Sequence, residues 1–224
     1  MDAIADESLR VRGSLGARVW QYCRRNPTIV IGALLLLMML IIALLASHLT
    51  PDPMKLNPIK RLRVPGEGML FGTDMYGRDV FARTLHGSRI SLLVGLSAAA
   101  VSTLFGLTIG LMAGYNRLFD TIVMRFMDGI MAIPSILLAI ALVSLTGASV
   151  GIVIVAISIP EIPRVVRLVR SVVLTIREQP YVEAAISVGA RLPKILLRHI
   201  LPNTLAPLIV QATYVCASAM ITEA

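Results

Sequence analysis

Runs of uncharged aliphatic residues alternate along this chain with short polar segments, and the run lengths predict its elements. From Thr28 to Leu49 there are 22 residues without Asp, Glu, Lys or Arg, about 33 Å as an α-helix and enough to cross a bilayer core. Ile90 to Tyr115 is a second such stretch, dense in small residues (Gly95, Ser97, Ala98, Ala99, Ala100, Ser102, Gly106, Gly110). Gly106 and Gly110 make a GxxxG pair, and small residues at this density predict a helix packed closely in a bundle. Ile130 to Pro160 carries no charge for 31 residues, too long for one comfortable span. The turn chemistry of Thr146-Gly147-Ala148-Ser149 divides it, giving a third helix over Thr121 to Leu145 and a fourth over Val150 to Val169. A fifth runs from Ile200 to Thr222. The pattern predicts an all-α, polytopic transmembrane helix bundle with five spans.

The polar segments predict how the bundle is threaded. Residues 1–26 carry Arg10, Arg12, Arg18, Arg24 and Arg25, which does not fit a cleaved secretory signal. The run at 27–49 is therefore a retained first span, with Trp20 and Tyr22 at headgroup depth and Pro27 in the first turn. Residues 50–89 read as an extracytoplasmic loop containing an interfacial helix, and 90–224 as the main transmembrane domain. With the N-terminus inside, 14 of the 21 Lys and Arg fall in inner segments and seven in residues 50–89, which supports a cytoplasmic N-terminus. Arg125 and Asp128, three apart, are placed to pair on one helix face. Pro160, Glu161, Pro163 and Arg164 interrupt the fourth apolar run. The membrane portion is expected to end there, with the helix continuing into water and showing Arg164, Arg167 and Arg170 on its surface.

Composition narrows the function. At 56% apolar, 15% charged and a mean hydropathy of +0.80, a soluble enzyme is excluded. A net charge of +8 would suggest nucleic acid in a soluble protein. In a membrane chain, cations flanking spans fix orientation and meet anionic lipid headgroups, so no nucleic-acid partner is expected. Cys23 and Cys216 give no disulfide framework. No GxxxxGK[ST] phosphate cradle occurs, so the chain is not expected to hydrolyse ATP. His48, His86 and His199 are scattered, no metal cluster is visible, and no catalytic residues emerge.

The most informative segment is the inner loop 177–202. Val182 to Val188 is a short helix former, Gly189 can end it in a left-handed cap, and Pro193 can open the next turn. A compact helix projecting from a bundle suits a partner's groove. Glu183-Ala184-Ala185, Gly189 and Leu201-Pro202, with Tyr181 beside them, form an ordered set that resembles the EAA loop of membrane subunits of binding-protein-dependent ABC importers. The resemblance implies a coupling helix docked on an ATP-hydrolysing subunit. His199 stands where an isoleucine is usual, yet Arg198 to Asn203 resembles the version in peptide and nickel importers.

A second set, Gly72, Thr73, Asp74, Gly77, Arg78 and Asp79, followed by Arg83 and Gly87-Ser88-Arg89, resembles the segment before the second span of the C-type permease in dipeptide, oligopeptide and nickel systems. On residue physics the glycines and Asp74 make a turn, and Asp79 caps a helix carrying Val80, Phe81 and Leu85. The likeness covers about residues 20–224. It implies alternating access driven by ATP hydrolysed on partner subunits, with no cofactor bound by this chain. The implied partners are a homologous permease, two ATP-binding subunits, an extracytoplasmic solute-binding protein, membrane lipid and a di- or oligopeptide substrate, all at the cell inner membrane. Nickel or another small solute is the alternative substrate. An ion-driven secondary transporter is disfavoured by charges placed at span ends, and a scaffold without transport is a third class. The family has six spans, so five suggest a C-terminally truncated version.

Overall fold

The computed structural model describes residues 23–50, 52–66, 68–147 and 149–223. Arg10, Arg12, Arg18, Trp20 and Tyr22 lie outside them. Among the described residues there is no β-strand, only isolated bridges at Gly66/Met69 and Thr73/Asp79. They fall into two compact units, one ending at Arg89 and the other starting at Ile90.

In the first unit, α1 is Pro27–Leu49, opened by its proline as expected. Leu34, Leu36 and Leu44 are exposed on this apolar helix, the surface a lipid-facing anchor requires. The Thr50 hydroxyl closes the end by donating to the Ala46 carbonyl at 2.9 Å. The same oxygen lies 3.3 Å from His86 Nδ1, which itself contacts the Ala82 carbonyl at 3.0 Å. Pro58–Lys60 forms a 3₁₀ turn in the connecting loop. Asp79 accepts from the Phe81 N–H at 2.9 Å, so it does cap the helix that follows.

That helix, α2, is Val80–Tyr115, 36 residues without a break. The stretch expected as a separate interfacial helix is its first turns. Gly87 and Ser88 do not interrupt it, because no proline follows and the Ser88 hydroxyl donates back to Leu85 O at 2.7 Å within the helix.

The second unit continues α2 from Ile90 and adds α3 (Arg117–Met131), α4 (Ser135–Thr146), α5 (Val150–Arg177), α6 (Pro180–Ser187), α7 (Leu192–Ile195) and α8 (Leu201–Glu223). Asn116 caps α3 by accepting from the Leu118 and Phe119 N–H groups. The single third helix expected over Thr121 to Leu145 is corrected to two, bent by 82°. Pro134 is the cause: it lacks an N–H and pushes Ile133 out of helical geometry. The split at 146–149 is as expected, with Gly147 at φ 91° and Ser149 capping α5 through Ile152 N–H.

The fourth helix does not leave the protein at Pro160. It runs to Arg177, and Pro160, Glu161, Pro163, Val165, Val166, Val169, Val173 and Ile176 are all buried. Burial of both proline rings against neighbouring helices keeps the helix continuous. Among the described residues, three helices are long and apolar enough to cross a membrane (α1, α2 and the run Leu192–Glu223), or four if the bent α3/α4 pair is one span. α5, expected as a span, is not among them, because Glu161, Arg164 and Arg167 lie in its middle.

The α2/α5 contact explains the GxxxG pair. Gly106, Gly110 and Gly114 form a groove on α2 that receives Val165, Val169 and Val173 from α5, each valine at most 1% exposed. Both rows repeat every four residues, so one ridge lies in one groove. A Cβ would sit 2.7 Å from Val169 Cβ at Gly110 and 2.6 Å from Val173 Cβ at Gly114. The second contact, Gly95 against Met220 and the Cys216 carbonyl, seats α8 on α2 in the same way.

Candidate functional site

The loop 177–202 is built as a rigid projection. Pro180 opens α6, where a missing N–H costs nothing. The helix ends with Gly189 N–H bonded to Ile186 O at 2.8 Å and Ala190 N–H to Ala185 O at 3.0 Å, and Gly189 at φ 81°. These two bonds are a Schellman closure, for which glycine is the favoured residue. Val182, fully buried, fixes α6 to the core formed by Val173, Ile176, Ile195 and Ile200. Glu183 and Ala184 are exposed and Ala185 is half-buried. Tyr181, Ile186 and Val188 add exposed apolar surface, Val188 at 89%.

Tyr181, Leu201 and Pro202 act on the same projection from behind. Pro202 cannot donate a helical hydrogen bond, and the chain just before it forms a π-turn over Leu196–Ile200, closed by Leu201 N–H to Leu196 O. The Asn203 side-chain amide donates to the His199 carbonyl at 2.7 Å and to the Tyr181 hydroxyl at 3.2 Å. The Tyr181 and His199 rings lie 6.2 Å apart. His199 thus occupies a structural position that ties α6 to the start of α8.

A set of ion pairs inside the second unit replaces the pairing expected from sequence. Asp128 does not pair with Arg125; its carboxylate accepts from Arg167 at 2.5 Å. Arg170 makes a two-pronged pair with Asp120, its Nη2 at 2.7 Å from Oδ2. Arg164 pairs with Glu161 at 2.5 Å, and the other Glu161 oxygen is buried without a hydrogen-bond partner among the described residues. Arg164 and Arg167 are exposed, as expected, and Arg170 is half-buried; Arg167 and Arg170 join α5 to α3, whereas Arg164 pairs within α5. Asp120 was missed as a partner, and Asp128 given the wrong one, because their bonds to Arg170 and Arg167 bridge 50 and 39 residues; the Glu161–Arg164 pair, three residues apart, is local. The three-residue arginine repeat was the available signal.

In the first unit the second motif forms one clamp. The Thr73 hydroxyl donates to the Lys60 carbonyl and accepts from Arg63 N–H at 2.9 Å. Asp74 accepts from the N–H groups of Tyr76 (2.8 Å) and Arg78 (3.0 Å), and pairs with Arg78 Nε (2.8 Å) and Arg83 Nη1 (2.9 Å). Partial removal from water opposes its ionisation. The two backbone N–H groups and the Arg78 guanidinium outweigh that and hold the carboxyl at about 2. Gly72 and Gly77 have φ of 72° and 74°, and a Cβ at either would overlap the carbonyl of Arg63 or Asn57. Arg78 lies over the Tyr76 ring at 4.7 Å, and Phe71 meets Phe81 edge-on at 5.2 Å. The two motif sets thus belong to different units.

Among the described residues, no group of three His, Cys, Asp or Glu could hold a metal ion.

Comparison with known proteins fits this geometry. Residues 106–224 match the family described as binding-protein-dependent transport system inner membrane component, and residues 14–65 match the N-terminal transmembrane domain of oligopeptide transport permease C. A probable peptide ABC transporter permease of Sinorhizobium fredii is 57% identical over 206 residues, covering 92% of this chain and 71% of the relative. A dipeptide transport system permease of Alkalihalophilus pseudofirmus is 42% identical over 192 residues, 85% of this chain and 63% of the relative. A di/tripeptide transport system permease of Pseudomonas aeruginosa is 38% identical over 214 residues, 92% and 70%. The chain spans 63 to 71% of the length of these relatives. With these matches and its apolar helices, the chain belongs to the family of multi-pass inner-membrane permease components of binding-protein-dependent ABC importers.

Proposed function

We propose that this chain forms one half of the translocation pathway of a peptide importer and that α6 is the element through which ATP hydrolysis moves it. In this reading the N-terminus is cytoplasmic. A homologous permease supplies the other half, two ATP-binding subunits hold and hydrolyse the nucleotide, and an extracytoplasmic solute-binding protein delivers di- or oligopeptides. The chain itself binds no cofactor and performs no catalysis.

One observation carries the reading. α6 is short, closed at both ends, anchored by Val182, and exposes Glu183, Ala184, Ile186 and Val188 together. Such a helix moves as a rigid body when a partner grips it, as force coupling requires. Displacement passes through Val182 to Val173 and Ile176 on α5, and through Tyr181 and Asn203 to α8. α5 is joined by the valine ridge to α2 and by its arginines to α3, so the helices respond as a set. Closure of the ATPase dimer would then open the pathway outward, and its release would reopen it inward. The peptide assignment rests on similarity to permeases named for peptides and dipeptides.

The test is uptake of labelled dipeptide in cells carrying Glu183→Arg or Gly189→Pro. Both variants are expected to abolish uptake while inserting normally. Cysteines placed at Ala184 and Ser187 are expected to crosslink to an ATPase subunit. Normal uptake by either variant, or an extracytoplasmic location of α6 by thiol labelling, overturns the assignment.

A further inference from the structure

The clamp built by Gly72, Thr73, Asp74 and Gly77 serves none of the functions assigned so far, and what it holds is a short, strongly cationic and apolar segment. Residues 57–64 read Asn-Pro-Ile-Lys-Arg-Leu-Arg-Val. Ile59, Leu62 and Val64 are 86, 67 and 82% exposed. Arg61 and Arg63 are also exposed, and among the described residues neither these two nor Lys60 makes an ion pair. Asp74, whose carbonyl accepts from Leu62 N–H, already pairs with Arg78 and Arg83.

The segment is held in one shape. Asn57 N–H bonds Tyr76 O, Leu62 N–H bonds Asp74 O, and Thr73 N–H bonds Arg63 O at 3.0 Å. The Thr73 hydroxyl bridges Lys60 and Arg63 across Leu62. Between those anchors Leu62 has φ 53°, the one positive value on a non-glycine residue among the described residues. A branched side chain in left-handed geometry persists only where its surroundings over-determine it, and such strain concentrates at functional positions. Here it points a large apolar side chain outward instead of into a core. A cavity of about 520 Å³ lies beside it, with Lys60, Leu62, Arg63 and Met69 in its wall.

We propose that residues 59–64 form a docking knob for an acidic, apolar-pocketed surface of the extracytoplasmic solute-binding protein, with Leu62 as the central anchor and Arg61 and Arg63 flanking it. This inference rests on the peptide-importer reading above. Charge complementarity sets the sign of the partner surface. Preorganisation argues for a protein occupant: a fixed shape lowers the ordering cost of binding a partner of fixed shape, whereas a fluid lipid surface imposes no geometry and rewards no strained residue. A large anchor ringed by charges is the usual arrangement of a binding hot spot.

Two measurements on the complete importer decide it. A photoreactive benzoylphenylalanine at Leu62 or Val64 in intact cells is expected to capture a solute-binding protein, identified by sequencing the adduct. Adducts to phospholipid alone, to the partner permease alone, or to nothing overturn the proposal. In proteoliposomes, Leu62→Gly and the double variant Arg61→Glu/Arg63→Glu are expected to raise, by about tenfold or more, the binding-protein concentration giving half-maximal ATPase stimulation. Leu62→Gly removes the backbone strain, so the melting temperature is expected to hold or rise while docking weakens, an outcome that a merely structural role does not produce. A shift under twofold with ATPase subunits still bound refutes the knob alone; failure of the wild-type complex to retain any ATPase subunit refutes the importer reading beneath it.

Discussion

Adding one methyl group to the α2 groove, as Gly110→Ala, tests whether the valine ridge holds the bundle together. The new Cβ would lie 2.7 Å from Val169 Cβ, 2.9 Å from its Cγ1 and 3.0 Å from the backbone carbonyl of Val166. Carbon atoms pack at roughly 3.5–4.0 Å, so α2 and α5 must part by about 1 Å, and the carbonyl cannot rotate aside as a side-chain tip could. Overpacking of this kind costs about 1–3 kcal/mol. Replacing glycine by alanine inside a helix returns about 0.5–1 kcal/mol, which leaves a net loss of about 1–2 kcal/mol. For a chain of this size that lowers Tm by roughly 2–8 °C. Gly87→Ala is the control on the same helix: a Cβ there meets nothing within 4 Å, so only the propensity gain of about 0.5–1 kcal/mol remains and Tm should rise. Thermal unfolding of the purified importer in nanodiscs reads both. If Gly110→Ala raises Tm as Gly87→Ala does, the glycines are not there for close approach and the ridge-in-groove account is wrong.

Three further outcomes are expected. Asp120→Ala leaves Arg170 without its two-pronged partner; because both side chains are partly exposed, the loss should be about 1–3 kcal/mol, read as a lower Tm, with recovery in Asp120→Arg/Arg170→Asp. Gly189→Ala places a β-carbon at φ 81° but meets no neighbour, so it should cost only about 1–2 kcal/mol of left-handed strain, with Gly189→Asn milder and both inserted normally by membrane fractionation. The Asp74 carboxyl titrates near 2 against an ordinary 3.8. A depressed value means that its stabilisation is complete above about pH 3.8 and is lost as pH falls toward 2. Pepsin cleavage within 59–64 should therefore stay low at pH 4 and rise toward pH 2, while Asp74→Asn should expose Arg61 and Arg63 to trypsin at neutral pH.

The elements that could be read directly from residue order are those whose causes are local. Twenty-two uncharged residues make α1 wherever they sit, because an unpaired backbone in lipid leaves a helix as the solution. Gly147 and Ser149 break the long apolar run, Asp79 caps α2, and Pro180 with Gly189 bounds α6, all through interactions within four or five residues. The failures have a common physical cause. Pro134 was legible as a breaker, but the run around it was apolar enough to hide the bend. Arg125 and Asp128 satisfied a local spacing rule, yet Asp128 reached Arg167 in an exposed pair, since a charge takes the partner that helix packing brings near. Glu161 and the α5 arginines looked like the start of a wet surface; Arg164 and Arg167 are exposed as that reading required, but Glu161 is buried, which helix packing around α5 decides and the order of residues does not. Likewise, GxxxG announced a close neighbour without naming it; Val165, Val169 and Val173 became that neighbour only when α2 and α5, separated in sequence by α3 and α4, were brought side by side. Local order chooses helices and their ends, because hydrogen bonding and turn strain act over a few residues. Partners across the bundle follow from shape and charge meeting in three dimensions, which linear spacing does not encode.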